Sequence, residues 1–160
     1  MDIVKFGVLT GARLGEIMNL KWSNYDAQKK EVTIVSSEHY RVKGGKMRIL
    51  PLSPDAAFIL DKKTRNSEWV FVNERGEKYT SDYVSKLFKA YVRKAGLSED
   101  FHFHSTRHTF CTWAGEANMP SHVLKAYAGH SSIRTTEGYL GTNREVLRAE
   151  VAKVKLPTLD

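Results

Sequence analysis

Histidine, arginine and tyrosine recur in two short segments at spacings that suit phosphodiester transfer. Without a metal, that chemistry needs a nucleophile, cations fixed around the non-bridging oxygens, and an acid for the departing oxygen. In Phe101-His-Phe-His-Ser-Thr-Arg-His-Thr-Phe110, His104 and Arg107 stand three apart, which predicts one shared helix face. A guanidinium grips two oxygens at once and keeps its charge at physiological pH. An imidazole beside it titrates near neutrality and can move a proton. Downstream, Ala128-Gly-His-Ser-Ser-Ile-Arg-Thr-Thr-Glu-Gly-Tyr139 sets His130 nine residues before Tyr139. A phenol with a pKa of about 10 is a weak nucleophile and needs a base and cationic surroundings. His104 and His108, four apart, also have a spacing that can hold a metal. With cationic Arg107 between them and no carboxylate close by, a zinc site is not expected, and His108 reads as an orienting or packing residue.

The composition permits this chemistry without requiring it. Lys plus Arg total 25 against 18 Asp plus Glu, a formal charge of +7 that suits a polyanionic partner. A length of 160 residues fits one domain, and a hydrophobic content of 41% supplies a core, which excludes disorder as the default. No stretch approaches the roughly 20 apolar residues that cross a bilayer. The single cysteine, Cys111, has no internal disulfide partner and agrees with a reducing cytoplasm. A soluble, unexported protein is expected.

The elements that must position these residues are mostly helices. Ile3, Val4, Val8 and Leu9, then Leu14 and Ile17, predict two helical segments separated at Gly11 and ending near Leu20–Trp22. Asn24–Lys30 reads as a turn, and Glu31–Ser36 and Met47–Leu52 as strands around a tip at Lys43-Gly44-Gly45-Lys46. Ser53 and Pro54 mark a helix start, Trp69–Val72 a short strand, and Ser81 the cap of a helix that Gly96 ends. Short helices follow over Ser121–Ala128 and Ile133–Leu140. A last amphipathic helix, Arg144–Val154, carries Val146, Leu147, Val151 and Val154 on one side, a stripe suited to a neighbouring subunit. Tyr83, Phe88 and Tyr91 recur at helical spacing and read as core, while Cys111 and Trp113 should pack behind the Arg107 helix.

Taken in order, four segments resemble the boxes of the tyrosine recombinase (phage integrase) family. His-x-x-Arg followed by Gly-His-Ser-Ser-x-x-Thr-Thr-x-x-Tyr resembles that family's second box. Thr10-Gly-Ala-Arg-Leu-Gly-Glu-Ile-Met-Asn-Leu-Lys-Trp22 is similar to its first arginine box, with Arg13 on the catalytic arginine and Glu16 on the acidic residue that follows. Val42-Lys-Gly-Gly-Lys-Met-Arg-Ile-Leu-Pro-Leu52 looks like the family hairpin and its catalytic lysine. Matching back from Pro51-Leu52 puts that lysine at Lys43, with Lys46 across the same turn as the alternative.

The resemblance implies an α+β, mainly helical catalytic fold with a small antiparallel sheet, and residues 1–160 as a single catalytic domain. The helical domain that precedes it in relatives is absent from the chain, so a fragment with weak, salt-sensitive DNA binding is expected. Tyr139 would form a 3′-phosphotyrosine, Arg13, Arg107 and His130 would hold the non-bridging oxygens, Lys43 would protonate the leaving 5′-oxygen, and His104 would deprotonate Tyr139. Glu16 and His108 would support the site. No cofactor or metal is implied. The implied partners are double-stranded DNA and further copies of the chain in a tetramer, in a prokaryotic cytoplasm and with no membrane. The competing readings are type IB topoisomerase-like relaxation and a DNA-binding remnant without turnover. One departure is Leu140-Gly141 after the tyrosine, where relatives carry Thr-His or Ala-His.

Overall fold

Gly11 divides the first helical stretch because two constraints meet there. Its φ of 60° lies in the left-handed region, and a Cβ would come within 2.6 Å of the Phe110 ring. A computed structural model describes residues 2–36, 40, 47–129 and 144–155, and in it α1 (Asp2–Thr10) stops at this glycine. The short α2 (Leu14–Met18) begins after it, with Arg13 as its N-cap.

A 3-10 turn (Trp22–Asn24) leads into a three-stranded antiparallel sheet ordered β1 (Tyr25–Asp26), β2 (Glu31–Ile34), β3 (Arg48–Pro51). Val32 pairs with Tyr25 on one side and Leu50 on the other. The stretch read as a turn over Asn24–Lys30 therefore includes a short edge strand, and the strands expected over Glu31–Ser36 and Met47–Leu52 are each two residues shorter. Trp69–Val72 is not a strand; it makes only isolated bridges, Lys21 with Trp69 and Val72 with Lys78.

Ser53 caps α3 (Pro54–Asp61) by accepting from the Ala56 N–H, as Ser-Pro predicts. The cap of α4 (Ser81–Lys94) is Thr80 rather than Ser81, since the Thr80 hydroxyl accepts from the Tyr83 N–H. On α4 the buried residues are Val84, Phe88 and Val92, four apart. Tyr83 and Tyr91 each precede that stripe by one residue, about 100° round the helix, and are half exposed, so only Phe88 of the three aromatics joins the core.

Three further helices complete the described chain: α5 (Ser105–Glu116), α6 (Ser121–Ala128) and α7 (Arg144–Val151). The core forms where α1 packs on α3 and α5, with Cys111 and Trp113 half-buried against it. Helix α7 packs on α6 and β3 of its own chain, burying Val151 and Val154, while Val146 stays exposed. Of the apolar stripe read as suited to a neighbouring subunit, Val151 and Val154 are covered internally, Leu147 is partly buried and Val146 remains exposed. The helix expected over Ile133–Leu140 lies outside the described residues. Among the described residues no helix is long and apolar enough to cross a membrane.

Candidate active site

The end of α6 leaves peptide carbonyls with no partner inside the helix. Two arginines distant in sequence take the last of them. Arg107 donates from Nη2 to the Ala128 carbonyl at 2.6 Å and from Nη1 to the Gly11 carbonyl at 2.8 Å. Arg13 donates from Nη2 to the Gly129 carbonyl at 3.4 Å. Both guanidinium groups therefore bracket consecutive carbonyls, at the negative end of a helix dipole. Gly129 closes α6 at φ 66°, a left-handed cap that favours glycine, and it directly precedes His130.

Each arginine is set by a different helix start. Arg107 is the third residue of α5, and only 4% of its surface is exposed. Burial, then the charges of Arg13 and Arg48, push its pKa below the ordinary arginine value. An arginine nonetheless stays charged at physiological pH, and these two bonds use two of its five N–H groups. Arg13 precedes α2, where its backbone N–H donates to Glu16 Oε2 at 2.9 Å and its Nη1 to Glu16 Oε1 at 3.1 Å.

Glu16 is the hub. Its side chain is fully buried, and it also accepts a two-pronged grip from Arg48, with Nη1 to Oε1 at 2.8 Å and Nη2 to Oε2 at 2.7 Å. Burial alone raises the Glu16 pKa, but the hydrogen bonds and charges of Arg48 and Arg13 outweigh it and hold the carboxyl below its ordinary value. The ring of Tyr40 rests beside this hub, against Gly15, and burial with the Glu16 charge raises its phenol pKa.

Arg13, His104 and Arg107 line one cleft of about 260 Å³ whose apolar wall includes Leu14 and Phe103. His104 is the N-cap of α5 and keeps a helical backbone at φ −60° and ψ −24°, so it and Arg107 face the same cleft, as the three-residue spacing implied. Its ring lies edge-on to that of His108, with centroids 5.1 Å apart. Among the described residues no group of three His, Cys, Asp or Glu side chains gathers as a metal site. Lys43, Lys46, His130 and Tyr139 lie outside the described residues.

Arg48 and Tyr40 were not singled out from the sequence. A signal existed for Arg48: period-2 alternation puts it on the face of β3 that carries the buried Leu50 and Leu52, where a charge demands a partner. Tyr40 carried no such pattern.

Two arginines and a histidine line a cleft, with a buried carboxylate behind them, on an α+β, mainly helical domain. Residues 2–145 match the Phage integrase family, and the chain belongs to that family. The TnP I resolvase of Bacillus thuringiensis is 32% identical over 148 residues, 87% of this chain and 48% of the resolvase. The integrase of Salmonella phage P22 is 31% identical over 86% of this chain and 38% of its own length. The chain thus spans less than half of either relative. The integrase from mycobacterium phage Brujita superposes with a TM-score of 0.77 at 21% identity, over 96% of this chain and 50% of that one. A XerA recombinase crystal structure gives 0.62 at 25% identity, over 92% and 60%. The fold is that of the tyrosine recombinase catalytic domain, as the sequence resemblance implied.

Proposed function

We propose that residues 1–160 form the catalytic domain of a site-specific recombinase that cleaves and rejoins double-stranded DNA through Tyr139. The observation that carries this reading is the convergence of Arg13 and Arg107 on one cleft beside His104, at the residue pair that leads directly to His130. Tyr139 Oη attacks the scissile phosphorus, the bond to the 5′-oxygen breaks, and a 3′-phosphotyrosine remains. His104 takes the phenol proton and Lys43 protonates the 5′-oxygen. Arg13, Arg107 and His130 donate hydrogen bonds to the non-bridging oxygens, where charge builds in the transition state. Glu16 holds Arg13, and His108 orients His104. The ester bond energy is retained in the phosphotyrosine, so the step draws on neither nucleotide hydrolysis nor a metal. Solved relatives of this fold include the Tn1549 transposon integrase in complex with transposon right end DNA, which supports duplex DNA as the partner. Strand exchange between two sites calls for four active sites, hence a tetramer on DNA, within a prokaryotic cytoplasm.

A pool of nicked duplexes with randomised sequence around the nick tests the reading. The protein should capture a subset as a detergent-resistant adduct, and Tyr139→Phe should capture none. An adduct that survives in Tyr139→Phe removes the nucleophile assignment. Absence of any adduct from the unaltered chain removes the activity.

A further inference from the structure

We infer that Arg48 is a positioning residue that keeps Arg13 available to phosphate by occupying the Glu16 carboxylate. The inference rests on the proposed phosphoryl-transfer role of Arg13 and adds a residue to it. A carboxylate offers about four lone-pair sites. On Glu16 all four have donors: Oε1 accepts from Arg13 Nη1 and Arg48 Nη1, and Oε2 from the Arg13 backbone and Arg48 Nη2. Arg13 therefore reaches its carboxylate with one side-chain bond only, the longest of the four at 3.1 Å. Its remaining N–H groups point elsewhere, one to Gly129 and others available to the cleft.

Removal of Arg48 would vacate two lone-pair sites on a buried anion. The nearest guanidinium, Arg13, would rotate to fill them in a two-pronged pair, because a buried charge left half-satisfied costs more than a lost surface contact. Arg13 would then be drawn from the cleft. Arg48 itself stands behind the site. It is not among the described residues lining the cleft, and its guanidinium packs against Gly129, where a Cβ would lie 3.2 Å from Cζ. It also contributes charge: Arg13 and Arg48 hold the Glu16 carboxylate and Arg107 lies near enough to feel all three charges, so the cluster is net positive by two.

The competition for Glu16 gives a signature that mere structural support would not. Arg48→Gln should weaken binding of inorganic phosphate, followed through the Arg13 Nε–H resonance, by about tenfold. It should slow adduct formation on a duplex recovered from the randomised pool by roughly 10- to 100-fold, the scale of a small misplacement of a binding group. Adding Glu16→Gln removes the anion that would capture Arg13, so the double variant should regain part of the lost phosphate binding, while adduct formation stays slow because Glu16 also holds Arg13. Equal phosphate binding by Arg48→Gln and the unaltered chain overturns the inference, as does a double variant that binds phosphate no better than Arg48→Gln alone. Thermal melts check folding. If Arg48→Gln does not fold, Arg48→Lys takes its place, since an ammonium covers one oxygen and should give an intermediate loss; no loss overturns the inference. Phosphate binding needs no cleavage, so the expected pattern in a chain that forms no adduct sinks the activity reading and leaves Arg48 standing.

Discussion

At the start of α2, Arg13 is held by a carboxylate; at the start of α5, Arg107 is held by two peptide carbonyls. The two side chains serve the same cleft, yet their supports respond differently to the surroundings. A carbonyl never ionises, so Arg107 stays in place at any pH at which the fold survives. Glu16 titrates, and it divides its acceptors between two cations. Support by carbonyls gives constancy, whereas support by a carboxylate lets a third residue, Arg48, adjust how tightly the arginine is held.

The largest effect is expected on the carboxylate side. Glu16→Ala leaves Arg13 and Arg48 together without their shared anion and should cost about 3–5 kcal/mol in urea unfolding, the scale of a broken buried ion pair. A cost below about 1 kcal/mol would erase the distinction between the two supports. The same pair has a pH signature. Glu16 has a folded pKa below its ordinary 4.5, so its contribution is complete above that value. It drains away as pH falls through the lower folded value. In Glu16→Gln that part of the acid limb should vanish when melts are compared across pH, while the loss at neutral pH remains.

Arg107→Met should have a smaller effect on stability. It strips partners from the Gly11 and Ala128 carbonyls and should cost roughly 2–3 kcal/mol, with the acid limb unchanged. A shifted acid limb in this variant would mean that the two supports are one network. Smallest is Gly129→Ala, at the junction between them. An alanine held at φ 66° costs about 1–2 kcal/mol, and its Cβ presses on Arg48 at 3.2 Å. Melting that is unaltered would show that the cap relaxes without disturbing either arginine.

Much of the scaffold was legible because local chemistry dictates it. Ser53-Pro54 starts a helix, Gly129 ends one, and the β-branched run at residues 31–34 pairs with the apolar segment at 48–51. Misreadings arose where burial depends on which way a neighbour lies. Tyr83 and Tyr91 are aromatic like Phe88, but α4 presents Val84, Phe88 and Val92 inward. The valines near the C-terminus form a stripe whichever surface covers them, and here β3 and α6 lie next to α7. His104 sits three residues before Arg107 with a helical backbone, so spacing correctly put both on one cleft even though the helix proper begins at Ser105.

Residue types alone determined which chemistry is available: arginines for a phosphate, histidines near neutrality, a phenol, and their order along the chain. Tertiary structure decided what holds the arginines in place. Arg13 meets the carbonyl of Gly129, 116 residues away, and Arg107 meets that of Gly11. Every residue carries the same carbonyl, so no side-chain pattern can announce which one will be the partner. The shared carboxylate follows the same rule: Arg48 finds Glu16 because packing brings β3 beside α2, and the desolvation of a buried charge then enforces the match.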